Sequence, residues 1–150
     1  MLKKIFLIIL FFSFLEGCGY TPLYDSNNKV NFNIKEISLE GDWETNNFIK
    51  NAILKNSSKT SENYYNLIIN TDYSKNPVTK DSTGKTSSYE VVIKVEFFVI
   101  SKNLEKKFFI QEKFFLENFT DELEEKKLEK SIKENLANLI VNKFKIKLIH

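Results

Sequence analysis

Between Tyr89 and Ile100 the side chains alternate with a period of two. Tyr89, Val91, Ile93, Val95, Phe97 and Val99 share one parity, while Glu90, Lys94 and Glu96 stand on the other. Such a run predicts a strand with one face in a core. That strand needs neighbours, and the flanking sequence supplies them. Tyr64 to Tyr73 sets Tyr65, Leu67, Ile69, Thr71 and Tyr73 against Asn66, Asn70 and Asp72. Lys107 to Phe119 is Phe-rich and follows a turn at Lys102-Asn103-Leu104-Glu105. A polar connection from Ser74 to Ser88 joins the first two. The three strands therefore predict two hairpins and antiparallel pairing.

Helical spacing surrounds this core of strands. Phe48, Ile49, Ala52 and Ile53 form one stripe across Glu44 to Lys55, with Asp42 or Thr45 as cap. From Asp121 to about Lys147, Leu128, Ile132, Leu136, Leu139, Ile140 and Phe144 keep helical spacing. Asp121 and Glu124 resemble a capping pair. Asp121, Glu122, Glu124 and Glu125 crowd the first turns and Lys143, Lys145 and Lys147 the last, as the helix dipole favours. Val30 to Leu39 reads as a further strand, bulged where alternation breaks at Lys35-Glu36. The order is β-α-β-β-β-α, an α+β two-layer sandwich. Its sheet is mostly antiparallel and carries both helices on one face.

The N-terminus sets the compartment. Lys3 and Lys4 precede an apolar run from Ile5 to Leu15, then Leu15-Glu16-Gly17-Cys18. This is the order of a secretory signal, and the run is shorter than the roughly 20 residues a spanning helix needs. A small residue before the only cysteine suits lipoprotein signal cleavage between Gly17 and Cys18. The Cys18 thiol would then carry diacylglycerol and its amine an acyl chain. The alternative is an ordinary signal followed by an unrelated cysteine, and Glu16 departs from the usual box. The domains expected are 1–17 signal peptide, 18–29 lipidated N-terminus and linker, and 30–150 a single α+β domain.

Absences narrow the function. The only histidine is His150, so neither a Ser-His-Asp arrangement nor a histidine metal cluster can be assembled. Four glycines, at 17, 19, 41 and 84, leave no phosphate-cradling loop. No enzyme, no metal and no soluble cofactor is expected. With Cys18 as the sole cysteine there is no internal disulfide, so packing must hold the domain, with fourteen Phe to supply it. The formal charge of +2 falls to about +1 once the signal is removed, which gives no footprint for nucleic acid.

The second face of the predicted sheet is not cleanly polar. Val92, Phe98 and Ile100 share it with charges, and Phe109, Phe115 and Phe119 interrupt Gln111, Lys113 and Glu117. Either a bulge turns some of them inward, or they form an exposed binding surface.

Cys18-Gly19-Tyr20-Thr21-Pro22-Leu23-Tyr24 resembles the lipidated start of the LPS-assembly lipoprotein LptE family. Gly84-Lys85-Thr86-Ser87-Ser88-Tyr89-Glu90-Val91 is similar to that family's approach to its longest strand. The late helix, with Ala137 beside Leu136 and Leu139, resembles its closing helix. Lys and Asn stand where the family's helices usually carry Arg and Ala, and the long C-terminal tail is missing. The resemblance implies an outer-membrane protein, lipid-anchored on the periplasmic side. It would dock in an LptD-like β-barrel, assist its assembly, and meet lipopolysaccharide. Lys80, Lys85, Lys126 and Lys127 are then candidates for lipid A phosphates, as point charges without the bidentate geometry of Arg. Phe98 and Phe115 are candidates for barrel contact. The alternative is a structural envelope lipoprotein binding peptidoglycan or another outer-membrane assembly complex. A hydrolase of envelope lipid is opposed by the lack of a usable His.

Overall fold

The computed structural model describes residues 32–57, 64–117 and 121–149. The order is β1 (Asn33–Gly41), α1 (Trp43–Asn56), β2 (Tyr64–Lys80), β3 (Thr86–Ser101), β4 (Leu104–Glu117) and α2 (Glu122–Ile149). The strands form one sheet in the order β1-β2-β3-β4. β1 runs parallel to β2, as a helical crossover requires, and the two hairpin-linked pairs are antiparallel. The α+β order and the mostly antiparallel sheet match the sequence. The expected break in β1 is a register shift between Ile34 and Glu36. Signal, Gly17, Cys18, the linker and Phe119 lie outside the described residues.

The β1–α1 junction depends on Gly41. Its φ is +91°, and a Cβ there would stand 1.8 Å from the Thr71 carbonyl oxygen. The absent side chain lets β1 close onto β2: Asp42 N–H donates to Thr71 O (3.1 Å) and Thr71 Oγ1 to Asp42 O (3.2 Å). Of the two cap candidates Asp42 is the cap, accepting from Thr45 N–H at 2.9 Å. Asp121 does the same for α2 through Leu123 and Glu124.

Two sequence boundaries move. The stretch from Ser74 to Lys80 is strand, not connection, and only Asp81 to Lys85 remain as a hairpin tip. Polar composition hid this, because the end of β2 has no core beneath it: Asn76 to Lys80 are all exposed. The tip is held by Asp81, whose carboxylate accepts from Thr83 N–H, Thr83 Oγ1 and Lys85 N–H. Those bonds, the Thr83 hydroxyl first, hold its pKa below the ordinary carboxylate value. At the other hairpin β4 begins at Leu104, leaving Lys102-Asn103 as the turn.

Core residues come from alternate positions of the strands and one stripe of each helix. Leu67 and Ile69 of β2, Val91, Ile93, Val95, Phe97 and Val99 of β3, and Ile110 and Leu116 of β4 meet Ile49 and Ile53 of α1. α2 supplies Ile132, Leu136, Ala137, Ile140, Val141 and Phe144. Phe144 stacks on Phe97 at 4.3 Å between centroids and takes Phe108 edge-on at 5.8 Å. Leu128 and Leu139, which the helical spacing placed in the core, are instead 36% and 44% exposed on the outer flank. The true stripe runs through Ala137 and Val141.

Candidate binding face

Among the described residues only one face of the sheet is covered. The other carries Ile68 on β2, Val92, Phe98 and Ile100 on β3, and Phe109 and Phe115 on β4. Register places Ile68 beside Phe98, Glu96 beside Phe109 and Glu90 beside Phe115. No bulge turns the aromatics inward. Phe109 is 53% exposed and Phe115 57%, while Phe98 is half-buried. Both barrel-contact candidates therefore stand on the uncovered face.

Each of three cations on this face has a carboxylate partner, and Glu36, Glu40, Glu105 and Glu117 stand in excess of them. Lys107 Nζ sits 3.0 Å from Glu96 and 4.8 Å above the Phe98 ring. Lys113 Nζ sits 2.9 Å from Glu90 and 5.4 Å from the Phe115 centroid. Lys94 lies 3.7 Å from Asp72. The face presents aromatic surface framed by paired lysines and surplus carboxylates. It is suited to a large mixed surface and poorly suited to a polyanion.

The four lysines expected to meet phosphate are not brought together. Lys80 ends β2 and Lys85 lies in the hairpin tip, both exposed. Lys126 is tied to Glu122 at 2.6 Å and Lys127 is exposed beside it. The start of α2 contacts β2 at Lys75. Lys80 is five residues further along, about 17 Å at 3.4 Å per residue.

At the opposite end of β2 the structure holds a feature the sequence did not reveal. A cleft of about 570 Å³ opens between Lys35, Tyr64, Tyr65, Asn66, Ile100 and Lys102, with Ser101 and Asn103 at its rim. Among the described residues no carboxylate lines it and neither lysine has an ion pair. The β1 bulge puts Lys35 there and the Lys102-Asn103 turn supplies the other cation. These positions are contiguous only through the sheet register, which no single run of sequence encodes.

On the covered face a polar cluster joins the sheet to both helices. Tyr73 OH donates to Glu129 Oε1 at 2.6 Å, and Lys75 Nζ bridges Glu125 (2.5 Å) and Glu129 (2.9 Å). Lys133 Nζ reaches Glu44 at 2.9 Å and lies 3.9 Å over the Tyr73 ring. Burial, then the bond to Glu129, pushes the Tyr73 hydroxyl pKa far up. Burial works against the charge on Glu129, but the bonds from Tyr73 and Lys75 outweigh it and hold the carboxyl below its ordinary value. Lys75 is raised because its two carboxylates outweigh its burial. Every charged member has an opposite partner, so the cluster clamps α1, α2 and β2 together. Among the described residues no set of His, Cys, Asp or Glu could hold a metal, and no helix is long and apolar enough to cross a membrane.

Comparison with known protein families and with curated proteins finds no match. Solved structures do match. Rare lipoprotein B from Shewanella oneidensis is 19% identical, with a TM-score of 0.50 over 77% of this chain and 99% of that one. A lipoprotein from Caulobacter crescentus CB15 is 12% identical, with a TM-score of 0.54 over 77% and 86%. Lipoprotein B from Nitrosomonas europaea is 12% identical, with a TM-score of 0.53 over 77% and 82%. At these identities the likeness establishes a shared fold.

Proposed function

We propose that this chain is an LptE-like outer-membrane lipoprotein, anchored by lipid on Cys18, whose uncovered sheet face packs inside an LptD-like β-barrel. In this role it assists barrel assembly and the insertion of lipopolysaccharide, and it catalyses nothing. The observation that carries this reading is the sheet face itself. Phe98, Phe109 and Phe115 lie among lysine–carboxylate pairs on a side that neither helix covers. The lumen of a large barrel offers a wall of mixed polarity to such a surface. The signal ending at Gly17-Cys18, and a fold shared with bacterial lipoproteins, support the anchor.

The lipopolysaccharide contact divides in two. Lys80, Lys85 and Lys127 are exposed cations near one end of the sheet, with Lys126 shared with Glu122. Lys35 and Lys102 flank the cleft at the other end, beside Tyr64, Tyr65 and Ile100, where phosphate and apolar contact are available together. Reversing the charge of these lysines should lower lipopolysaccharide binding and flatten its salt dependence, since an exposed Lys–phosphate contact is screened. Barrel binding should survive that change.

The deciding measurement is a pull-down from detergent-solubilised outer membranes. The tagged lipoprotein should recover a large β-barrel, and Phe98→Asp with Phe115→Asp should cut recovery about tenfold, because buried aromatics anchor interfaces disproportionately. Recovery of no barrel would favour the envelope lipoprotein that binds peptidoglycan or another assembly complex. Mass spectrometry of the mature protein should show Cys18 N-terminal and lipidated. One acyl chain anchors only marginally and more hold firmly; because lipoprotein signal cleavage needs the cysteine itself, Cys18→Ala should give an unprocessed precursor.

A further inference from the structure

Positive charge collects at the end of the domain where β1 and β2 begin, at Asn33 and Tyr64. The Ser101–Leu104 hairpin turns at the same end. α1 runs back from Gly41 and closes there, and Lys145 Nζ of α2 donates to Asn56 Oδ1 at 3.2 Å. Among the described residues this end carries Lys35, Lys55, Lys102, Lys106, Lys145 and Lys147 against two carboxylates, Glu36 and Glu105. Lys107 and Lys143, further in, are taken up by Glu96 and Glu112. Acids gather at the far end. Asp42 and Glu44 open α1, and Asp121, Glu122, Glu124 and Glu125 open α2, with Lys126 and Lys127 among them. Glu125 bonds Lys75, eleven residues along β2 from Tyr64, which is about 37 Å at 3.4 Å per residue. That is several Debye lengths in physiological salt, so the acidic end does not offset the basic one.

The basic end is not uniformly polar. Tyr64 is 55% exposed, Ile146 48% and Ile100 38%, and the cleft between Lys35 and Lys102 opens among them. Lysines beside exposed Tyr and Ile suit the headgroup layer of a membrane, where apolar tips enter and ammonium groups meet phosphate. The chain that precedes the described domain joins it at this end. Phe32 leads directly into β1, and fourteen residues separate it from Cys18, a span of at most about 50 Å. A lipid on Cys18 therefore holds the domain by its basic end.

We infer that, on the free lipoprotein, this end docks on the anionic glycerophospholipid headgroups of the leaflet that holds the anchor. The inference rests on the lipid at Cys18 and not on the barrel. Near an anionic surface each lysine contributes about fivefold. The tether makes the encounter intramolecular, so modest contacts suffice. The acidic end points away from the lipid, and the strands stand off the membrane. Phe109 pairs with Glu96 and Phe115 with Glu90, four and ten residues along β3 from Ile100. Those steps lift the two rings about 14 and 34 Å above Ile100. The docked domain thus holds its open face clear of lipid and turned sideways, towards a partner in the plane of the same membrane.

Quenching by brominated lipids tests this on the full mature lipoprotein. The vesicles are phosphatidylcholine alone, or phosphatidylcholine with about 30% phosphatidylglycerol as the anionic lipid. The one tryptophan, Trp43, starts α1 at the acidic end and reports the side away from the membrane. Trp43→Phe with Ile100→Trp moves the reporter to the docking end. Its quenching should rise about threefold when phosphatidylglycerol is present and fall back in about 0.5 M salt. Trp43 in the parent should stay unquenched in both vesicles. Adding Lys35→Gln, Lys102→Gln and Lys147→Gln together should abolish the rise, with circular dichroism unchanged. Lys80→Gln with Lys85→Gln, which takes charge from the hairpin tip instead, should leave it intact. Flotation of the parent with phosphatidylcholine vesicles reports the anchor by itself. The proposal is overturned if a lipoprotein that floats shows no rise, or if Trp43 is quenched as strongly as the Ile100→Trp variant. It is overturned equally if the tip lysines matter as much as the three at the basic end. A lipoprotein that does not float overturns the anchor, and the docking with it.

Discussion

β3 faces two environments with one stretch of chain. Its odd-numbered residues Val91, Ile93, Val95, Phe97 and Val99 are at most 1% exposed against the helices. Among its even-numbered residues Lys94 and Ile100 are exposed, Glu96 and Phe98 are half-buried, and only Val92, at 6%, is closed. The difference is not one of hydrophobicity alone, since Phe97 and Phe98 are the same amino acid. What differs is cover. Phe97 meets Phe144 of α2, whereas Phe98 has the Lys107 ammonium over its ring. A sheet with helices on one side stabilises itself from that side and leaves the other free to bind.

The contrast is tested most severely at adjacent residues. Ile93→Asp puts an unpaired carboxylate where exposure is 0%, and should cost at least about 4 kcal/mol, enough to unfold the domain. Lys94→Asp should change stability by less than about 1 kcal/mol. Circular dichroism of the two variants decides it, and equal tolerance would break the assignment of faces. A milder version uses the paired aromatics. Phe97→Ala should lose about 3–5 kcal/mol by opening a cavity. Phe98→Ala, whose ring has only a lysine ammonium and its sheet neighbours to lose, should cost about 1 kcal/mol, read from denaturant midpoints.

The two faces should also differ in their response to pH. On the covered face Glu129 has a depressed pKa, so its contribution is present above the ordinary 4.5 and is lost as pH falls through the lower folded value. Tyr73 and Lys75 are raised from 10.0 and 10.5. Their contributions are complete below those values and decline as pH rises beyond them. Stability should be flat from about pH 5 to 9.5 and fall on both sides. Glu129→Gln should remove most of the acid-side decline. A decline that persists in Glu129→Gln would assign it to other carboxylates.

How much of this was legible in the sequence follows from the same division. The strand periodicity of Tyr89 to Ile100, the cap at Asp42 and the bulge near Lys35 are local signals, and local physics decides them. The uncovered aromatics were readable because alternation assigns parity, though it does not say which parity is covered. Two things were not legible. Ser74 to Lys80 is strand because Val91 to Thr86 runs alongside it, a long-range pairing that polar composition disguises. The cleft at Lys35 and Lys102 joins residues from three strand ends. Leu139 shows a further limit: helical spacing admits it to the core stripe, but the sheet beneath selects Val141 and Ala137.

The smallest expected effect lies on the open face. Lys107 and Glu96 are 3.0 Å apart with side chains 54% and 35% exposed, so water screens them and both lose rotamer freedom when paired. A double-mutant cycle with Lys107→Ala and Glu96→Ala should give a coupling of about 0.2–1 kcal/mol, falling towards zero in 1 M salt. Phe98 complicates the reading, since the Lys107 ammonium also lies over its ring and Lys107→Ala removes that contact too. Repeating the cycle in a Phe98→Ala background separates the two contributions. A coupling above about 2 kcal/mol that persists in salt would mean the open face is drier than its exposure indicates. The contrast between the two faces would then have to be drawn in cover by long side chains as well as by helices.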